Sequence, residues 1–129
     1  MVDRKINIAV CEDESAQAEY ISSLVRGWIK KTGIAAELIS FVSAESLLFH
    51  YDDRKDADIL LLDIQMGAMN GVELAKIFRK ENDNVQIVFI TGLPDFMAEG
   101  FEVSALHYLL KPVGEAKLHE VLDRALRRL

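Results

Sequence analysis

The chain has 129 residues, half of them hydrophobic, with two prolines and a formal net charge of −6. That length suits one domain with a real core, and the apolar content excludes a disordered chain. The acidic balance excludes nucleic-acid binding by this segment itself, and the absence of a membrane-length apolar run or a signal-peptide pattern makes the cytoplasm the expected location.

In chain order, residues 6–11 (INIAVC) form a short apolar run that reads as a strand, followed at once by Glu12-Asp13-Glu14. Its Cys11 is the only cysteine, so no internal disulfide can form, and the apolar setting predicts a buried, inert thiol. No Cys/His cluster supports structural zinc. Residues 15–31 place Ile21, Leu24, Val25, Trp28 and Ile29 on one helical face, and Thr32-Gly33 stops that helix. Residues 36–42 form a less apolar strand suited to a sheet edge. Ser43 suits the N-cap of a short helix carrying Ala44, Leu47, Leu48 and Tyr51.

A charged connection, 52–58, leads to the apolar run Ile59–Leu62, which ends in Asp63. Such a run suits a strand buried on both faces of a parallel sheet. A loop through Gln65, Gly67 and Gly71 opens a helix to about Lys80, with Leu74, Ala75 and Phe78 inward. Residues 85–90 form a fourth strand closed by Thr91-Gly92. Pro94 and Asp95 open a weaker helix carrying Phe96, Met97, Phe101 and Val103, of which Phe96, Phe101 and Val103 suit either the core or a dimer surface. Residues 106–110 form the fifth strand before Lys111-Pro112. The last helix carries Leu118, Val121, Leu122, Ala125, Leu126 and Leu129 on one stripe.

Five repeats of strand then helix predict a single α/β domain with a doubly wound parallel sheet. The strand ends offer Glu12 and Asp13, Asp63, Thr91 and Lys111, all on the carboxyl edge where such sheets bind ligands. Each residue alone has an ordinary explanation as a cap or strand terminator; their convergence does not. Carboxylates about 4–5 Å apart repel by roughly 4 kcal/mol at an effective dielectric of 20. Three acids and one lysine therefore need a cation, and an all-oxygen site of few carboxylates suits Mg²⁺, with Mn²⁺ fitting similarly. The predicted chemistry is phosphoryl transfer: Asp63 attacks, the metal and Lys111 neutralise charge, and Thr91 meets a phosphoryl oxygen.

At these residues the chain closely resembles the receiver domain of bacterial two-component response regulators. Glu12-Asp13, Asp63, Gly71, Thr91, Tyr108 and Lys111-Pro112 carry the resemblance, which covers residues 1–129. It implies a flavodoxin-like (βα)5 fold with strand order 2-1-3-4-5. Asp63 would be the phosphoacceptor for a sensor histidine kinase. Asp13, Asp63 and the backbone carbonyl of Gln65 would bind Mg²⁺ directly, and Glu12 through water. Lys111 would pair with the carboxylate and then the phosphoryl group, and the Lys111-Pro112 bond would be cis. Thr91 and Tyr108 would form a switch pair that reshapes the face built by the fourth helix, fifth strand and fifth helix. Homodimerisation on phosphorylation is a further family expectation. Gly67, Gly92 and Glu12 depart from common family residues without removing a required group.

The segment 101–113 most resembles receivers joined to a LytTR-type DNA-binding domain. It implies such an output domain C-terminal to residue 129, acting in transcription regulation. A stand-alone receiver or a phosphorylation-independent docking module is the alternative. A phosphohydrolase would need a second aspartate where Gln65 stands, so slow self-dephosphorylation fits better than turnover of outside substrates. A flavin phosphate would be repelled by Glu12-Asp13-Glu14. His50, His107 and His119 have no metal-ligand spacing.

Overall fold

The computed structural model describes residues 4–52 and 54–129. Asp53, inside the charged connection, lies outside the described residues. Strands β1 (Ile6–Cys11), β2 (Ala36–Phe41), β3 (Ile59–Leu62), β4 (Gln86–Thr91) and β5 (His107–Leu110) alternate with helices α1 (Ser15–Thr32), α2 (Ala44–His50), α3 (Gly71–Glu81), α4 (Met97–Glu102) and α5 (Glu115–Arg127). The strands form one sheet of order β2-β1-β3-β4-β5, with every pairing parallel. The expected doubly wound architecture is present, and β2 is an edge strand as its weaker apolar pattern indicated.

Alternation along the central strands divides the core into two. Ala9, Cys11, Leu60, Leu62, Ile87 and Phe89 face a cluster built with α2, α3 and Val103. Ile8, Val10, Ile59, Leu61, Val88 and Ile90 face a second cluster built with α1 and α5. A period of two in strands buried on both faces requires this split.

Helix ends follow local chemistry. Gly33 (φ 72°) closes α1 by donating its N–H to the Ile29 carbonyl. Ser43 caps α2 and Asn70 caps α3, each completing a reciprocal capping box with the residue three positions on. The segment after β4 differs from the single weak helix the pattern suggested. A 3-10 turn, Pro94–Phe96, precedes α4, and this shifts the phase of the apolar residues. Val103 is buried and Phe96 packs on the core, while Phe101 is 87% exposed and Met97 is also exposed.

Arg79, near the end of α3, ties distant loops together. Its guanidinium donates to the carbonyls of Val103 (2.9 Å), Asn82 (3.2 Å), Asp83 (3.1 Å) and Ser104 (3.4 Å). Burial lowers its pKa from the ordinary arginine value, with Asp83 opposing. Ser104 itself sits at φ 56° in the turn between α4 and β5.

Candidate functional site

The carboxyl edge of the sheet gathers the strand-end residues into one cleft of about 570 Å³, lined by Glu12, Asp13, Asp63, Gln65, Thr91 and Lys111 among others. The reason is register. The Glu12 N–H donates to Phe41 O (3.0 Å) and the Asp63 N–H donates to Cys11 O (3.0 Å), extending β1 and β3 to the same level. The Lys111 N–H donates to Thr91 O (2.9 Å), which levels β5 with β4. Four strands thus deliver their last polar groups together.

At the centre, the Lys111 ammonium donates to Glu12 Oε1 (2.6 Å) and to Asp63 Oδ2 (3.1 Å). Glu12 is 1% exposed and its second oxygen accepts the Glu14 N–H at 3.1 Å. Asp63 is 7% exposed, and its Oδ1 accepts the Ile64 N–H at 2.7 Å. Asp13 is exposed. Burial raises the Glu12 pKa, opposed by the hydrogen bonds from Lys111 and Glu14. Burial also works against the Lys111 ammonium, but its bonds to Glu12 and Asp63 outweigh that and raise its pKa. The Lys111 ammonium is thus held by charge-assisted bonds between the two carboxylates.

One carboxylate oxygen from each of Glu12, Asp13 and Asp63 lies within 4.8 Å of the other two. A single lysine leaves that group net negative, and its hard oxygen donors fit a divalent cation such as Mg²⁺.

Thr91 is fully buried, and its Oγ1 accepts the Leu93 N–H at 3.3 Å. The Tyr108 hydroxyl donates to the Leu93 carbonyl from the other side. The half-buried Tyr108 ring packs on Phe89, with ring centres 5.9 Å apart, and burial raises its pKa. The two residues therefore meet through the backbone of a single residue, Leu93. The Lys111-Pro112 bond is cis.

Gly71 shows a requirement that spacing alone did not explain. A Cβ there would lie 2.0 Å from the Asp63 carbonyl oxygen, and the Gly71 N–H donates to Ile64 O at 2.9 Å. The α3 N-terminus thus lies directly against the backbone that carries Asp63. Sequence reasoning also missed the part played by Leu93, since a backbone bridge leaves no side-chain signature.

A larger cavity, about 710 Å³, opens at the opposite sheet edge and is lined by Arg4, Asp58, Asn82 and Arg128 among others. Its buried carboxylate, Asp58, is already held by both Arg4 guanidinium nitrogens (2.8 and 2.6 Å) and by the Asn7 N–H (2.7 Å). That charge is satisfied, whereas the smaller acidic cleft keeps the exposed carboxylate of Asp13 beside its bridge. Cys11 is buried as expected, and burial followed by the neighbouring acids pushes its thiol up to about 12. Among the described residues, no helix is long and apolar enough to cross a membrane.

The sensory transduction protein LytT of Bacillus subtilis is 29% identical over 119 residues, covering 92% of this chain and 47% of that protein. The positive alginate biosynthesis regulatory protein of Pseudomonas aeruginosa is 32% identical over 122 residues, covering 95% of this chain and 48% of that protein. The chain thus spans about half the length of these curated relatives. The crystal structure of the response regulatory domain of protein mrkE from Klebsiella pneumoniae superposes with a TM-score of 0.83 at 27% identity, covering 95% of this chain and 96% of that one. The family model described as response regulator receiver domain matches residues 8–123, reaching from β1 into α5. On that match the chain belongs to the response regulator receiver domain family, the signalling module of two-component systems.

Proposed function

We propose that in the cytoplasm Asp63 accepts a phosphoryl group from the phosphohistidine of a sensor histidine kinase. The observation that carries this reading is the Lys111 bridge, which holds Glu12 and Asp63 together beside the exposed Asp13. An Asp63 oxygen forms the new P–O bond as the P–N bond to imidazole breaks; the leaving nitrogen keeps the electron pair and takes a proton from solvent. Asp13, Asp63 and the Gln65 carbonyl, with Glu12 through water, would hold Mg²⁺ or Mn²⁺, which when bound neutralises charge on the phosphoryl oxygens. Lys111 orients Asp63 and then offsets the charge of the transferred group. The Thr91 hydroxyl, accepting from Leu93, keeps its own proton free to donate to a phosphoryl oxygen.

Reaching the phosphoryl oxygen draws the Thr91 hydroxyl away from the Leu93 N–H, and Tyr108, bonded to the Leu93 carbonyl, responds with it. The result is a population shift of the face formed by α4, β5 and α5. This face would support a homodimer and control a DNA-binding segment of the LytTR type following residue 129. Relatives about twice the chain's length, one named a sensory transduction protein and another a positive regulatory protein, support that extension. Gln65 supplies no second acid, so water releases the phosphoryl group slowly and no outside substrate is turned over.

Intact mass after incubation with acetyl phosphate and Mg²⁺ tests the reading. One hydroxylamine-labile phosphoryl group is expected, absent from Asp63→Asn and absent without Mg²⁺. No mass gain in the folded protein would overturn it and leave a phosphorylation-independent docking module.

A further inference from the structure

Tyr20 lies on α1 beside the residues that build its buried face, yet it is itself 41% exposed. Its hydroxyl crosses to the turn between β5 and α5 and donates to the Val113 carbonyl at 2.6 Å. That turn begins with Lys111. After the Lys111 N–H bond to Thr91 and before the Gly114 carbonyl accepts from Leu118, Pro112 offers no N–H. Among the described residues, the Tyr20 bond is the one hydrogen bond that Pro112 and Val113 make to another element. The Val113 side chain is buried in the core between α1 and α5, so its carbonyl has a fixed direction.

We propose that Tyr20 is a positioning residue for Lys111: its hydroxyl ties the Lys111–Val113 turn to α1 and so sets where the ammonium sits between Glu12 and Asp63. The inference rests on the phosphoacceptor reading above for its consequence, though not for the tether itself. Without the hydroxyl, water can satisfy the Val113 carbonyl, but water is not bound to α1 and cannot fix the turn. A small displacement of a charge-stabilising group is enough to slow a reaction that depends on placement.

Tyr20→Phe keeps the ring and removes the tether. The first readout uses the protein without metal or phosphodonor: hydrogen exchange at the Lys111 amide, expected to be about three- to tenfold faster than in the parent. The second is phosphorylation by acetyl phosphate and Mg²⁺. Its rate constant is expected to fall about three- to tenfold, while the Mg²⁺ concentration for half-maximal rate stays within about twofold. Ala125→Gly, a core change near the end of α5 farther from the turn, serves as a variant of reduced stability and is expected to keep the parent rate.

Unchanged amide exchange in folded Tyr20→Phe would overturn the tether. An unchanged rate, or an equal loss in Ala125→Gly, would overturn the positioning role. A parent protein that takes up no phosphoryl group would overturn the phosphoacceptor reading and, with it, the positioning role, while amide exchange would still decide the tether.

Discussion

The Asp63 carbonyl oxygen lies 2.0 Å from where a Cβ on residue 71 would sit, so the backbone carrying the reactive carboxylate rests directly against the first turn of α3. No rotamer change relieves a clash between a Cβ and a backbone oxygen. Gly71→Ala is expected to destabilise the fold by about 3 kcal/mol, measured by urea denaturation, because helix and strand end must move apart. An unchanged midpoint would contradict this account. Gly71 was legible in the sequence as a spacing from Asp63, and the structure supplies its cause. The acids, Thr91 and Lys111 were legible because each ends an apolar run, and a parallel sheet aligns such ends. Tyr20, Arg79 and Leu93 were not, because their bonds depend on how distant segments come to lie together.

Elements repeat the same lesson at larger size. The strands were readable almost to the residue because their apolar runs are short and bounded by polar sequence. At the margins β2 ends at Phe41, leaving Val42 exposed, and β4 runs to Thr91, so the site threonine is the strand's own last residue. The stretch after β4 resisted reading because a six-residue helix entered through a 3-10 turn has too few turns to establish a period. Its C-terminal end is held by Arg79 together with the buried Val103. Arg79→Ala is therefore expected to lose about 2 kcal/mol in urea denaturation, given four carbonyls left without their charged donor. Hydrogen exchange should rise first around Val103–Ser104. A loss confined to the α1–α5 side would refute the clamp.

For the whole molecule, buried groups that resist ionisation set the alkaline limit. Burial, aided by nearby acids, pushes Cys11 from 9.0 and Tyr51 from 10.0 up to about 12 in the native state. Above about pH 9 the unfolded chain gives up protons that the native chain keeps, so stability falls as pH rises, by up to about 1.4 kcal/mol per pH unit for each group. Lys111 adds the same sign, because its native pKa is also raised. Tyr51→Phe should flatten the decline between pH 10 and 12 in urea midpoints; an unaltered slope would remove Tyr51 from the account.

The sheet also separates two interiors. Tyr108, Leu93 and Phe96 pack against the core shared by α2 and α3. The only tryptophan, Trp28, is sealed in the other core and donates its indole N–H to Asp123 at 2.8 Å. Its fluorescence should hence report the α1–α5 contact rather than the Thr91–Tyr108 pair. Emission is expected to change less when acetyl phosphate and Mg²⁺ are added than when the protein unfolds, which shifts it to the red in one cooperative step. A sensor of the signalling state needs its dye on the α4 side, where the exposed Phe101 offers a place to attach one.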